Sequence, residues 1–129
     1  MDMKDLGHLR TDYLEKEFGK MSTDEVVLTE ERELHIKNRH PQDFDIFKQN
    51  AASTVCNPDI VIKDTDNPGT IFMIKKIEKT NLNIVVKLVL ACEKSGHKNS
   101  VMTAYRLREK NLDKLIKKHN YNILYKKEY

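Results

Sequence analysis

The spacing of apolar residues along this chain changes from helical to extended near Asn57-Pro58. Upstream, Phe44, Phe47, Ala51 and Val55 recur at threes and fours, which predicts a helix over 43–55 with one buried face. Downstream, residues 60–63, 70–77 and 83–92 read as strands, separated by a dense turn cluster at 64–69 and a shorter one at 79–81. Connections this short imply antiparallel hairpins, because parallel neighbours need crossovers of about a dozen residues. The 83–92 run is almost continuously apolar and is expected at the sheet centre. Its one interruption, Lys87, reads as a snorkelling side chain. A fourth strand over 99–107, a helix over 109–119 with Leu112, Leu115 and Ile116 on its apolar side, and an edge strand over 122–126 complete the pattern.

Nearer the start, Leu9, Tyr13, Leu14 and Phe18 predict a short helix within 8–20 that stops at Gly19. Val26-Val27-Leu28 predicts a short strand. The next helix has Thr29 as its N-cap, and Glu30, Glu31 and Glu33 suit the positive end of its dipole. The pattern predicts an α+β fold: N-terminal helices packed on an antiparallel sheet of about four to five strands, with a C-terminal helix. A single domain is expected over 1–129, with 1–23 as a peripheral N-terminal extension.

Composition narrows the class. At 129 residues one core suffices without disulfides, and with no Trp that core must rest on Ile, Leu and Val. No apolar run approaches the roughly 20 residues that cross a bilayer, so no membrane partner is expected. Met1 to Leu6 lacks an apolar signal core, so the expected location is cytoplasmic. Cys56 and Cys92 have no metal-ligand spacing and are expected as reduced, packed thiols. Charge is uneven: residues 1–78 carry 11 Lys and Arg against 16 Asp and Glu, whereas residues 79–129 carry 12 against 4. A basic half is the footprint of a polyanion partner, although Lys110, Lys114, Lys117 and Lys118 also suit the solvated face of a helix.

Candidate chemistry concentrates at Thr29–Pro41, where His35, Arg39 and His40 precede a proline. Pro41 disfavours helical geometry at His40, which is therefore expected at the helix end. At 100° per residue, His35 and Arg39 lie roughly 40° apart on a face shared with Arg32, and His40 lies roughly 140° from His35. Imidazoles pass protons near neutral pH and a guanidinium grips phosphate, so the set suits phosphodiester cleavage without a metal. The second candidate stretch runs from His97 to Arg106. On strict alternation Ser100, Met102, Ala104 and Arg106 share one face, with Val101, Thr103 and Tyr105 on the other. Lys98 can neutralise phosphate, and Ser100 or Thr103 can hydrogen-bond it. A working site requires His40 to come near Lys98 and Ser100. No metal set is expected, since His35 and His40 are five apart with no intervening Glu base, and no cofactor loop is present.

The order Asp24-Glu25-Val26-Val27-Leu28-Thr29, His35-Ile36-Lys37-Asn38-Arg39-His40-Pro41, Asn57-Pro58-Asp59 and Lys98-Asn99-Ser100-Val101-Met102-Thr103 resembles the phage-associated branch of the barnase–EndoU–colicin–RelE-like nucleases. Ile123 to Lys127 also matches that branch. The resemblance implies helices followed by an antiparallel sheet of about four strands, and metal-independent RNA cleavage by a toxin or phage effector in a bacterial or phage-infected cell. Matched position by position, it implies catalytic roles for His35, Arg39, His40, Lys98 and Ser100, and substrate contacts by Thr103 and by Tyr105 as a base-stacking ring. Arg106 and Lys87 are further substrate-binding candidates. The implied partners are RNA and an antitoxin or immunity protein. Unlike barnase, the chain has no acidic residue clearly placed as a general base. The rival expectation is a non-catalytic RNA- or protein-binding phage module with a nuclease-like fold.

Overall fold

The computed structural model describes residues 3–91 and 97–128. Its elements run β1 (Met3–His8), α1 (Asp12–Phe18), β2 (Glu25–Thr29), α2 (Glu30–Arg39), a 3-10 turn (Pro41–Asp43), α3 (Phe44–Cys56), β3 (Ile60–Lys63), β4 (Thr70–Ile77), β5 (Thr80–Lys87), β6 (Asn99–Leu107), α4 (Glu109–Lys118) and β7 (Ile123–Lys126). The α+β class and the C-terminal helix match the sequence pattern. The sheet is larger than expected: among the described residues it has seven strands, in the order β1-β2-β6-β5-β4-β3-β7.

It is also mixed rather than purely antiparallel. Strands β3 to β6 form the antiparallel run that short connections dictate. Strand β2, however, pairs parallel with the start of β6, Val26 opposite Asn99 and Val27 opposite Ser100. These strands are joined through α2, α3 and three further strands, so hairpin length puts no constraint on their direction.

The segment expected as a peripheral extension is built into the sheet. β1 pairs antiparallel with β2 as an edge strand, and Leu6, Leu9 and Leu14 lie in the core. Its sequence, Met-Lys-Asp-Leu-Gly-His, has one apolar residue facing inward, too little alternation to read as a strand. Gly7 is required there. Its φ is +107°, and a Cβ would sit 2.6 Å from Cys56 Sγ at the end of α3. Cys56 itself is exposed rather than buried as expected, although its Sγ reaches Leu6 O (3.8 Å) on β1. Cys92 and the rest of 92–96 lie outside the described residues.

The two faces of the sheet differ. One is sealed by the first three helices: Leu14 of α1, Ile36 of α2 and Phe47, Ala51 and Val55 of α3 pack on Val26, Ile71, Met73, Ile84, Val86, Val101 and Ala104. On the other, α4 covers only part, with Leu112, Leu115 and Ile116 on Ile60, Ile62, Phe72, Ile74 and Val85. The apolar strand β5 is central, as its continuous hydrophobicity predicts, but it starts at Thr80 and ends at Lys87. Beyond it Leu88 N–H still donates to Gly69 O (2.8 Å) in the same register, and Val89 N–H then leaves the ladder for Asn99 Oδ1 (2.8 Å). No described helix is long and apolar enough to cross a membrane.

Candidate active site

Helix α2 begins and ends where its sequence requires. Thr29 Oγ1 accepts from Arg32 N (3.2 Å), satisfying one of the free amides of the first turn. The helix stops at Arg39. His40 has φ −135° and ψ 59°, a geometry consistent with the proline that follows. Its N–H still donates to Ile36 O (2.8 Å), and its carbonyl accepts from Asp43 N (3.0 Å), so the ring is carried on a closed turn rather than a free loop.

That turn is anchored to β6. Asp43 is buried, and its two oxygens take Arg106 Nε (2.7 Å) and Arg106 N (3.1 Å). A charged pair with two bonds, one to backbone, fixes both register and angle. The anchor brings the His40 ring to Tyr105, with centroids 5.3 Å apart and planes tilted by 33°. Further back along α2, Arg32 Nη1 reaches Met102 O at 3.5 Å. β2 pairs only with the first two residues of β6, and α2 lies along the rest of that edge. His35 is part-buried and follows Arg32 by three residues, about one turn along the same side of α2. Arg39 is exposed at the helix end.

A bulge decides which β6 side chains share the open face. Val85 pairs with Thr103 but Val86 pairs with Val101, so Met102 is an extra residue. Strict alternation is therefore broken. Val101 and Ala104 both enter the helical core. Ser100, Thr103 and Tyr105 oppose Lys87, Val85 and Asn83, which alternate on one face of β5. Arg106 opposes Leu82 on the other face, where Asp43 meets it. One period of alternation cannot reveal a bulge, and so the sequence groups Ser100 with Ala104 and Arg106 instead.

His40, Tyr105, Thr103 and Ser100 thus share a face, but not a point. The β5 partners of Ser100 and Tyr105 are four residues apart, about 13 Å along the strand. His40 sits at the far end of β6 from Lys98 and Ser100, contrary to the proximity expected of them. Lys98 is exposed and lies 3.5 Å from Glu25. Lys87 Nζ donates to Pro68 O (2.6 Å), held over the 64–69 turn rather than snorkelling freely. Between the two ends lies a cleft of about 400 Å³ lined by Asn67, Thr70, Val85, Lys87 and Met102.

The open face is also electrostatically distinctive. Burial raises the Tyr105 phenol above its ordinary value and nearby Asp64 adds to the rise, while the Asn83 amide beside it pulls down. Tyr105 therefore stays protonated and able to donate. Asn83 is fully buried, and the Tyr105 phenol beside it is the polar group its amide meets, at a geometry short of a full hydrogen bond. A carboxylate is near the site, but Asp64 is occupied: its oxygens accept from Asp66 N, Asn67 N and Asn67 Nδ2. Asp64, Asp66 and buried His119 bring their ligand atoms within 4.8 Å of one another. His119 Nδ1 already accepts from Thr65 N (3.0 Å), so the group reads as the clasp of this turn. His97 is exposed.

Sequence reasoning misses Asp43, which reads as an ordinary start to α3, and Asn83, which reads as one more strand residue. Arg32 is visible only as a neighbour of His35 on the helical wheel. No curated protein and no solved structure is significantly similar to the chain. One family model matches, over residues 4–114, and so spans β1 through most of α4. On that match the chain belongs to the phage-Barnase-EndoU-ColicinE5/D-RelE like nuclease3 family, nucleases of the barnase–EndoU–colicin–RelE type.

Proposed function

We propose that this nuclease is a metal-independent endoribonuclease that cleaves RNA on the open face of its sheet. The observation that carries the reading is His40, held against Tyr105 by the Asp43–Arg106 anchor at the edge of a polar, partly uncovered face. One imidazole takes the proton of a ribose 2′-OH as the new O2′–P bond forms. The P–O5′ bond then breaks, and a second acid protonates the departing O5′, leaving a 2′,3′-cyclic phosphate. Each such transfer is typically worth about 10²–10⁴-fold.

His40 is one proton carrier. His35, on the stripe it shares with Arg32 and Arg39, is the other. Arg32 and Arg39 supply positive charge to the phosphorane, and the protonated Tyr105 phenol and Thr103 hydroxyl supply hydrogen bonds to its oxygens. Lys98, Ser100 and Lys87 lie too far along the face to hold the same phosphate. They suit the adjoining stretch of the strand, with the cleft between Lys87 and Met102 available to a base. The expected antitoxin or immunity partner belongs with this toxin-like reading.

The test is incubation of the protein with total RNA in EDTA, followed by detection of 2′,3′-cyclic ends. Cleavage with cyclic ends supports the proposal. Cleavage that needs Mg²⁺ or Mn²⁺, or that leaves 5′-phosphates, rejects this mechanism. Binding without any cleavage favours the non-catalytic module.

A further inference from the structure

A second polar cleft, of about 410 Å³, opens just past the C-terminal end of β6 and is lined by Gln42, Asp43, Lys79, Thr80, Arg106 and Arg108. Three of those side chains are cationic, and the one carboxylate is buried and engaged by Arg106. Among the described residues, neither Lys79 nor Arg108 makes an ion pair. Two acidic residues adjoin these cations in sequence: Glu109 is drawn off by Asn81 Nδ2 (3.1 Å) and Lys76 (3.4 Å), and Glu78, beside Lys79, is exposed and does not line the cleft.

Two features make this more than a set of surface cations. Arg106 is pre-oriented: Asp43 takes its Nε, which leaves the two terminal nitrogens of the guanidinium for an incoming ligand. Arg108 is the N-cap of α4, and its side chain caps nothing, so the positive end of a ten-residue helix adjoins the same cleft. The position is informative as well. Asp43 belongs to the same turn as His40, and Arg106 follows Tyr105. The cleft therefore adjoins the His40–Tyr105 pair around the exposed edge and end of β6, on the side of the sheet that Arg106 faces.

We propose that this cleft is a backbone-phosphate subsite, taking a phosphodiester of the RNA strand next to the one cleaved. The proposal rests on the nuclease reading for the identity of the strand. Its chemistry is a phosphate held by Lys79, Arg108 and the free edge of Arg106. Together with Lys87 and Lys98 at the other end, it gives the strand a cationic hold on each side of the proton-transfer groups.

The experiment measures binding of a labelled 2′-O-methyl RNA of roughly ten nucleotides, a typical single-strand site size, by fluorescence anisotropy across a salt series. That probe lacks the attacking hydroxyl and cannot be cleaved through it. The variant is Lys79→Ala with Arg108→Ala. Arg106 is spared because its loss would strand buried Asp43. The control is Lys114→Ala with Lys117→Ala on the exposed side of α4. Deleting one cation that neutralises a phosphate should flatten the slope of log K against log salt by about 0.7, so the variant should flatten by about 1.4 and the control should not change. A variant slope equal to wild type overturns the subsite, even if the protein cleaves RNA. A flattened slope in a protein that never cleaves RNA upholds the subsite and removes the nuclease mechanism instead.

Discussion

The two faces of the sheet are built from the same strands and alternate residue by residue, yet they serve different ends. Along β5, Leu82, Ile84 and Val86 point into a dry core closed by three helices. Their neighbours Asn81, Asn83, Val85 and Lys87 point the other way, onto a face that one helix covers only in part. The closed face is almost wholly apolar, and the Tyr13 hydroxyl is its one buried side-chain polar atom without a partner among the described residues. The open face keeps a buried amide poorly satisfied beside a raised phenol, and an imidazole brought around the edge of β6. Such a polar, unfinished surface costs stability, which is why the proposed site is put on this face.

The sharpest break of this comparison pairs one substitution from each face. Phe47→Ala, deep in the helical core, should cost about 3–5 kcal/mol of stability in chemical denaturation. His40→Ala should leave the denaturation midpoint nearly unchanged while lowering the cleavage rate by about two to four orders of magnitude. A His40 variant that unfolds like the Phe47 variant would mean that the two faces do not divide the work.

Asp43 joins the faces, so its variant should report on both. Asp43→Ala removes a buried anchor with two charge-assisted bonds and should cost about 1.5–3 kcal/mol. Measured where the variant is fully folded, kcat should still fall, because the turn no longer holds His40 against Tyr105. A folded variant with unaltered kcat would reduce Asp43 to a structural residue.

Much of this arrangement is legible in the sequence, for particular physical reasons. The N-cap at Thr29, the stop at His40-Pro41 and the central place of β5 are local signals, and each survives folding. β1 is not legible, because an edge strand with a single buried leucine has almost no pattern. The parallel β2–β6 pair is not legible either, since nothing local fixes the direction of strands so far apart in sequence. At the site, His35, His40 and Tyr105 can be singled out by chemistry. Their separation from Lys98 and Ser100 cannot, because the Met102 bulge and the length of β6 are properties of the pairing.

A smaller contrast concerns two tyrosines. Tyr13, on the helical side, is pushed up to about 12 by burial, and its hydroxyl has no partner. Tyr105 is raised for the same leading reason. In both, the fold favours the neutral phenol, so this contribution is complete below about pH 10 and is lost as pH rises through the folded-state values. Absorbance titration should show late-ionising phenols followed by alkaline unfolding. Tyr13→Phe should be neutral or slightly stabilising, since it deletes an unsatisfied group. Tyr105→Phe should instead lower cleavage with little change in stability.

The smallest effect is expected at the far end of the open face. Lys98→Ala should flatten the salt dependence of RNA binding by less than one unit, as the lysine is partly neutralised by Glu25. An unchanged slope would take Lys98 off the binding surface.

The central claim is that two imidazoles on the α2 end of the open face exchange protons with RNA. It is tested most directly by the pH dependence of cleavage in EDTA for wild type, His35→Ala and His40→Ala. Wild type should give a bell with both limbs between about pH 5 and 8, since one imidazole must be neutral and the other protonated. Each variant should lose one limb, and the double variant should be little worse than either single one, because both groups serve one transition state. A profile with both limbs intact in the two variants would contradict the account.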